Sequence, residues 1–458
     1  MSDMRGSRSN PYVGARPFER GEPLYGRDGE TMDLYRLLVA ERIVLLHSPS
    51  GAGKTSLIQA ALIPRLERRG FEVLPAMRVG LGPAPGLESS PQGNRYITSL
   101  LACLEGESAE AGPDRVRAPE ERTRLATITL AEYLDRRASR SNGQKLMLVF
   151  DQFEEILTLN PTDLEAKREF FAQVGEALRG RPYWALFVMR DDHVAALAPY
   201  VRGLPTQLGT TYRLDPLSEA SARLAIREPA LRGQVEFAEG AVDRLVYELC
   251  QVRVQALDGM TQVQRGPFVE PIQLQLVCRR LWEKLPPETT HIAEADVAAV
   301  GAVDSVLADY YAERVAAIAR QTRVDERTIR DWFDRRLITE QGIRGQVLQG
   351  PEESQGLENR ASRPLVDASL VRAERRRGAP WYELAHDRLI EPVRADNEAW
   401  RRVHPLAPSP VRSAFNGGIG AGLSLALLRA IIAAWVDPQN WMIYPALYGI
   451  YGAMLGAA

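Results

Sequence analysis

Short apolar runs rich in β-formers recur along the first half of the chain, at 42–46 (RIVLL), 72–79 (EVLPAMRV), 146–150 (LMLVF) and 184–189 (WALFVM), with a weaker one at 209–214. Charged stretches with helical spacing lie between them. That rhythm predicts a parallel sheet covered by helices on both faces. From about 217 the strand signal fades. SEASARLAI, AVDRLVYELC and PIQLQLVCRRLWEKL carry apolar residues at helical intervals and predict a small all-α domain. Helical spacing continues through VDSVLADYYAERVAAIA and ERTIRDWFDRRLI. Two short strand-like runs around a Gly-Ala-Pro turn and a further helix follow in SLVRAERRRGAPWYELAHDRLIEPV. Helices followed by a hairpin predict a winged helix over about 300–403.

The pattern changes again near the C-terminus. After Arg401, Arg402 and Arg412, residues 417–436 carry one charge, Arg429, and residues 441–458 carry none. Each run is long enough to cross a ~30 Å hydrocarbon layer as a helix. Between them DPQN makes a polar turn flanked by Trp435 and Trp441, where interface-seeking indoles belong. A transmembrane helical hairpin at 413–458 is therefore expected, although Arg429 would cost about 2.5 to 3.5 kcal/mol at mid-membrane. The alternative is a buried helical pair. EGESAEAGPDRVRAPEERT, at 105–123, is polar and rich in Gly, Pro and Glu, and predicts a surface loop.

At 458 residues the chain is too long for one core. A formal net charge of -2 gives no global reason to expect nucleic acid. The three cysteines, Cys103, Cys250 and Cys278, lack metal-ligand spacing and suit a reducing compartment. MSDMRGSRSNPY has no apolar run after its basic residues, which argues against a secretory signal.

The candidate chemistry begins at LLHSPSGAGKTSL, residues 45–57. Small residues at Ser50, Gly51, Ala52 and Gly53 let the backbone curl until successive N–H groups point inward, and the helix that follows adds partial positive charge. Such a turn cradles phosphate. Lys54 would reach the β and γ phosphates and Thr55 would give a hydroxyl to Mg2+. The first glycine of the usual spacing is replaced by Ser48, followed by Pro49. Asp151, leaving the end of the LMLVF run, supplies the carboxylate for Mg2+. Gln152 follows it, so a general base would have to be Glu154 or Glu155; both also suit a solvated acidic helix start. Arg190 ends the next strand and could sense a γ-phosphate. A salt bridge to Asp191 or Asp192 competes with that role, although a continuing strand would point those neighbours to different faces.

The ordered series NPYVGARPF, LYGRDGE, SPSGAGKTS, LVFDQFEEI, VMRDDH, LDPLSEASARLAI, PIQLQLVCRRLW and WYELAHDRLIEPV, over about residues 10–400, resembles the STAND NTPases and specifically their bacterial "novel STAND" branch. The resemblance implies an α/β P-loop NTPase with a parallel five-stranded sheet of the ASCE type; the all-α helical domain, the winged helix and the transmembrane hairpin read from the residue pattern follow it. The boundaries expected are an arm at 1–20, the NTPase domain at 21–215, the helical domain at 216–299, the winged helix at 300–403, a basic linker at 404–412 and the hairpin at 413–458. It further implies ATP and ADP with Mg2+ as ligands, and slow hydrolysis. Tyr25, Gly26 and Arg27 would border the adenine, Ser56 would complete the loop, Pro216 would close over the base, and Arg190 would be the sensor arginine. His386 in LAHD resembles the histidine that touches the β-phosphate of ADP and holds such molecules shut; without that resemblance a lone histidine in a winged helix reads first as a satisfied core or turn residue.

On this reading the nucleotide is a latch. Exchange of ADP for ATP would release the winged helix and let the chain form homo-oligomers, attached to the bacterial inner membrane with the NTPase portion cytoplasmic, in defence or stress signalling. Members usually carry a C-terminal sensor of repeats, so a sensor is expected on a partner or beyond Ala458. Two rivals stand beside this: a winged-helix DNA-binding regulator using Arg375, Arg376 and Arg377, and a continuously hydrolysing remodelling ATPase. No sequence-specific nucleic acid is expected.

Overall fold

The computed structural model describes residues 9–79, 94–105, 128–139, 144–158, 160, 162–255, 261–340, 342–376 and 379–405. Five strands, β1 (Ile43–Ser48), β2 (Phe71–Val73), β3 (Lys145–Phe150), β4 (Tyr183–Arg190) and β5 (Thr211–Arg213), form one parallel sheet in the order β2-β3-β4-β1-β5. Strand residues alternate between two cores. Val44, Leu46, Met147, Val149, Leu186 and Val188 face one side, where Leu34, Leu38, Leu57, Ile58 and Leu62 cover them. Ile43, Leu45, Leu146, Leu148, Phe150, Ala185 and Phe187 face the other, against Tyr96, Leu100, Leu134, Phe170 and Phe171. Burial on both faces is why these strands read as continuous apolar runs. The sheet with its helices fits a P-loop NTPase.

The order of strands places the chemistry. β4 lies between β1 and β3, so the C-terminal ends of three adjacent strands deliver Ser48, Arg190 and Asp151 to one edge. Lys54 begins a helical run made of Lys54–Ser56, Leu57–Leu62 and Ile63–Glu67. Its middle segment has the wider π spacing, and one residue beyond it stands Pro64, which has no N–H to return to the preceding turn.

Beyond the sheet, helices Glu219–Arg232, Glu239–Leu249 and Pro271–Lys284 build the helical region. It is not all-α as the sequence reading had it. Gln251–Gln255 pairs antiparallel with Thr261–Arg265, and two short strand pairs join Leu217–Ser218 to Phe268–Val269 and Glu236–Phe237 to His291–Ile292. QVRVQ and TQVQR alternate with period two around Asp258-Gly259, a hairpin pattern that outweighs the helical signal on either side.

The C-terminal lobe holds helices Val303–Thr322, Glu326–Trp332 and Asn359–Asp367 with a three-stranded antiparallel sheet. That sheet consists of β6 (Gln346–Leu348), β7 (Val371–Arg376) and β8 (Ala379–Leu384), in the order β6-β8-β7. The hairpin around 377–378 matches the expected pair of strands, while β6 carried no separate signal. One apolar cluster runs from Leu217 to Val393, so the helical region and this lobe share a core. Tyr12 of the N-terminal arm is buried in it and donates to the Ile226 carbonyl at 2.5 Å. Residues 1–396 make up one compact unit. Residues 397–405 complete the helix Ile390–Val403 and the turn after it.

No helix among the described residues is long and apolar enough to cross a membrane. The hairpin expected at 413–458, most of the basic linker at 404–412, and nearly all of the 105–123 loop lie outside the described residues.

Gly26 is a close-contact point between the NTPase and helical regions. Its φ is +77°, and a β-carbon there would meet the Ser221 carbonyl oxygen at 2.2 Å. Gly26→Ala is expected to lower stability by about 1–3 kcal/mol in chemical denaturation, the usual cost of forced overpacking; an unchanged midpoint would show that the contact yields freely.

Candidate functional site

Ser50 to Ser56 bend around the C-terminal end of β1. Gly51 (φ +82°) and Gly53 (φ +94°) take backbone conformations that residues with a β-carbon rarely adopt. Lys54 folds back over the loop. Its Nζ donates to Ser48 Oγ at 2.8 Å, to the Ser48 carbonyl at 3.2 Å and to the Pro49 carbonyl at 3.4 Å. Burial pushes its pKa below that of ordinary lysine, against the pull of the nearby Glu154 carboxylate.

A cavity of about 410 Å³ opens above this loop. Ser50, Gly51, Gly53, Lys54, Thr55 and Ser56 line it from below. Asp151, Glu154 and Arg190 line it from the neighbouring strands, and Gly14 to Phe18 of the arm with Pro271, Ile272 and Gln275 close its far side. The Phe18 N–H donates to Ser56 Oγ at 3.2 Å, so that hydroxyl ties the arm to the loop. Beside it lies a small apolar cavity of about 50 Å³. Tyr25, Arg27, Ala52, Gly53, Leu217, Pro271 and Leu274 are among its walls, a composition suited to a flat heterocycle.

Arg27 is buried. Its guanidinium donates to the carbonyls of Ala52 at 2.8 Å and Asp215 at 2.9 Å, and pairs with Glu30 at 2.7 Å. It braces the loop against the segment after β5. Pro216 is not among the residues lining these cavities. Leu217 and Pro271 line the smaller one, with Pro271 Cγ 3.9 Å from the position a β-carbon would take on Gly53.

Asp151 is buried at the end of β3, where the backbone bridges to Met77 and Arg78 stands 3.6 Å from its carboxylate. Thr55 and Asp151 line the same cavity. No group of three or more His, Cys, Asp or Glu side chains able to hold a metal occurs among the described residues. A hydroxyl plus one carboxylate fits Mg2+, which keeps water and phosphate oxygens in most of its octahedral shell.

The two candidate bases separate. Glu154 lines the 410 Å³ cavity with Lys54 and Arg190 and also borders an adjoining cavity of about 640 Å³, whereas Glu155 lines the second cavity and not the first. Glu154 Oε2 is buried without a hydrogen-bond partner, and burial pushes its pKa up. Arg190 forks onto Asp192, with contacts of 3.1 and 2.6 Å. The sequence argument against that pair assumed a continuing strand, but the chain turns into a 3-10 helix at Asp191–Leu197 and brings the carboxylate back under the guanidinium. Arg190 still borders both cavities.

His386 follows β8 and lines the 640 Å³ cavity with Ser50, Gly51, Arg190 and Arg372. A β-carbon on Gly51 would lie 3.0 Å from His386 Cε1 and 3.7 Å from Nε2. The imidazole therefore sits directly against the phosphate loop. Nδ1 lies 2.7 Å from Glu270 Oε2, at the start of the helix Pro271–Lys284 whose first turn borders the other cavity. Burial opposes ionisation of Glu270, but the hydrogen bond from His386 and its charge hold the carboxyl below the usual range. Two residues further on, Arg388 pairs with Asp304 at 3.0 Å and donates to the Glu248 carbonyl at 2.9 Å, capping the helix Glu239–Leu249.

Residues 11–403 match the family described as Novel STAND NTPase 1. The chain belongs to that family. It is an NTPase of the STAND type, and nucleotide binding is the activity the family name carries. Among solved structures, a Walker-type ATPase of Pyrococcus abyssi overlaps 83% of this STAND chain and 98% of its own at 12% identity and a TM-score of 0.42. The Aeropyrum pernix ORC2 protein overlaps 84% and 96% at 15% identity and 0.40 in its ADPNP-ADP complexes, and 83% and 96% at 14% and 0.41 in its ADP form. Comparison with curated proteins gives no match.

Sequence reasoning about this STAND NTPase missed Phe18, Arg78, Glu270, Pro271 and Gln275. Arg78 lies near the end of the 72–79 run and could have been placed at the sheet edge; the others come from distant segments that only folding assembles. The raised pKa of Glu154 has a consequence for stability. Below the carboxyl's unfolded pKa it is protonated in both states; above the folded pKa its burial as an anion destabilises the fold. Glu154→Gln should therefore raise the melting temperature at pH 7 and lose that advantage as pH falls towards 4, and an equal shift at both pH values would contradict the assignment.

Proposed function

We propose that the chain is an ADP/ATP switch in which one nucleotide lies between the NTPase domain and the C-terminal lobe, the latter read as a winged helix over 300–403. The observation that carries this is the imidazole of His386, from the lobe, resting against Gly51 of the phosphate loop. A ligand shifts a conformational equilibrium only through contacts that differ between the states, and His386 offers a contact available in the closed arrangement alone.

The roles follow from position. Backbone N–H groups of residues 50–55 and Lys54 hold the phosphates, while the apolar walls Tyr25, Leu217 and Pro271 take the base once their 50 Å³ cavity widens into its neighbour. Thr55 and Asp151 would hold Mg2+, which when bound neutralises phosphate charge. Glu154 orients or deprotonates the attacking water, with Gln152 occupying the position next to Asp151. A glutamine there has no carboxylate to accept a proton, and that supports slow turnover. Opening of the lobe would free surfaces for homo-oligomerisation, with a trigger or sensor partner acting on the lobe. The apolar segment 413–458 would attach the molecule to the bacterial inner membrane, with the NTPase portion in the cytoplasm. A role in bacterial defence or stress signalling is part of this reading.

Lys54→Ala should weaken ADP and ATP binding by roughly 1.5–3 kcal/mol, the scale of hydrogen bonds to a charged partner. Retained affinity in a calorimetric titration would remove the phosphate-loop assignment. His386→Ala should release ADP at least several-fold faster in a stopped-flow chase and favour larger species in light scattering. Unchanged release and size would count against the latch, and rapid multi-turnover phosphate release by the unmodified chain would favour a remodelling ATPase.

A further inference from the structure

The loop departs from its motif at one position, and the structure shows what the departing side chain does. Glycine is usual five residues before the Gly of the Gly-Lys pair. This chain has Ser48, fully buried at the end of β1 opposite Arg190 of β4. Two of the acceptors around Lys54 Nζ are backbone carbonyls, of Ser48 at 3.2 Å and Pro49 at 3.4 Å, and any residue at these positions would offer them. The third and nearest, Ser48 Oγ at 2.8 Å, exists only because the residue is serine.

The orientation of that hydroxyl is set. It donates its own hydrogen to the Pro49 carbonyl at 2.8 Å, which leaves its lone pairs to Lys54. An ammonium has three N–H donors, and three loop oxygens surround this one. A phosphate oxygen that reaches Lys54 must therefore displace or share one of them. Burial, which already makes the lysine's charge costly, makes each of these bonds count for more than it would in water.

We propose that the Ser48 hydroxyl competes with nucleotide phosphate for Lys54 and lowers the affinity of the loop for nucleoside di- and triphosphates below that of the same loop without the hydroxyl. This rests on reading the loop as the nucleotide site. Ser48 is on this account a positioning residue: it holds Lys54 back on the loop and touches no part of the nucleotide.

The test compares the full chain with Ser48→Ala and Ser48→Gly, titrating each with ATP, ADP and AMP. Two variants are used because glycine adds backbone freedom that alanine does not. ATP and ADP should bind roughly three- to tenfold more tightly in both variants, the weight of about one hydrogen bond. AMP lacks the β and γ phosphates that Lys54 reaches, so its affinity should not change. Unchanged or weaker ATP and ADP binding, or a gain shared equally by AMP, would overturn the proposal while leaving the nucleotide site in place. Failure of the unmodified chain to bind any of the three would overturn both.

Discussion

The arrangement depends on one contact, the imidazole of His386 against the backbone of Gly51. Gly51 is constrained twice: its φ lies in the left-handed region, and a β-carbon would press on the ring. The same glycine thus shapes the phosphate loop and makes room for the lobe. Around it the structure multiplies the tie. Glu270 holds Nδ1 of the ring from the helix that walls the adjoining cavity, and Arg388 fastens the segment carrying His386 to Asp304 and to the end of the helix Glu239–Leu249. The lobe and the cavity above the phosphate loop are therefore joined by packed elements rather than by an exposed loop.

Charge is concentrated where water is scarce. Lys54, Asp151, Glu154 and Arg190 border one cavity, and two of them, Lys54 and Glu154, have pKa values moved towards their neutral forms by burial. Isolated charges in such a place cost stability, and a phosphate chain with its metal would share that burden by supplying partners. The helical region and lobe add a continuous apolar core from Leu217 to Val393, with Tyr12 of the arm inserted in it. The arm consequently links that core to the phosphate loop, through Tyr12 at one end and the Phe18 to Ser56 hydrogen bond at the other.

The parallel sheet was legible in the sequence because strands buried on both faces leave uninterrupted apolar runs, and the positions of Lys54 and Asp151 followed from where those runs stop. Contacts between distant segments were not legible. Nothing local to Glu270 or Phe18 signals a neighbour more than a hundred or about forty residues away, and the place given to Pro216 came from the family pattern rather than from any spacing. The hairpin at 251–265 was readable from its alternation around Asp258-Gly259 but was absorbed into the surrounding helical signal. The Arg190 to Asp192 pair was misjudged for a local reason: strand geometry was extended one residue past the point where β4 gives way to the 3-10 helix.

The central claim is that nucleotide state decides whether the lobe rests on the phosphate loop. Its most direct test is a distance between spin labels at the exposed positions Arg36, in the NTPase domain, and Arg335, in the lobe, where the side chains are 70% and 74% exposed. Cys103, Cys250 and Cys278 are buried and need not be replaced. One narrow distance distribution is expected with ADP, and a shift to longer, broader separations with ATP. Identical narrow distributions under both nucleotides would contradict it.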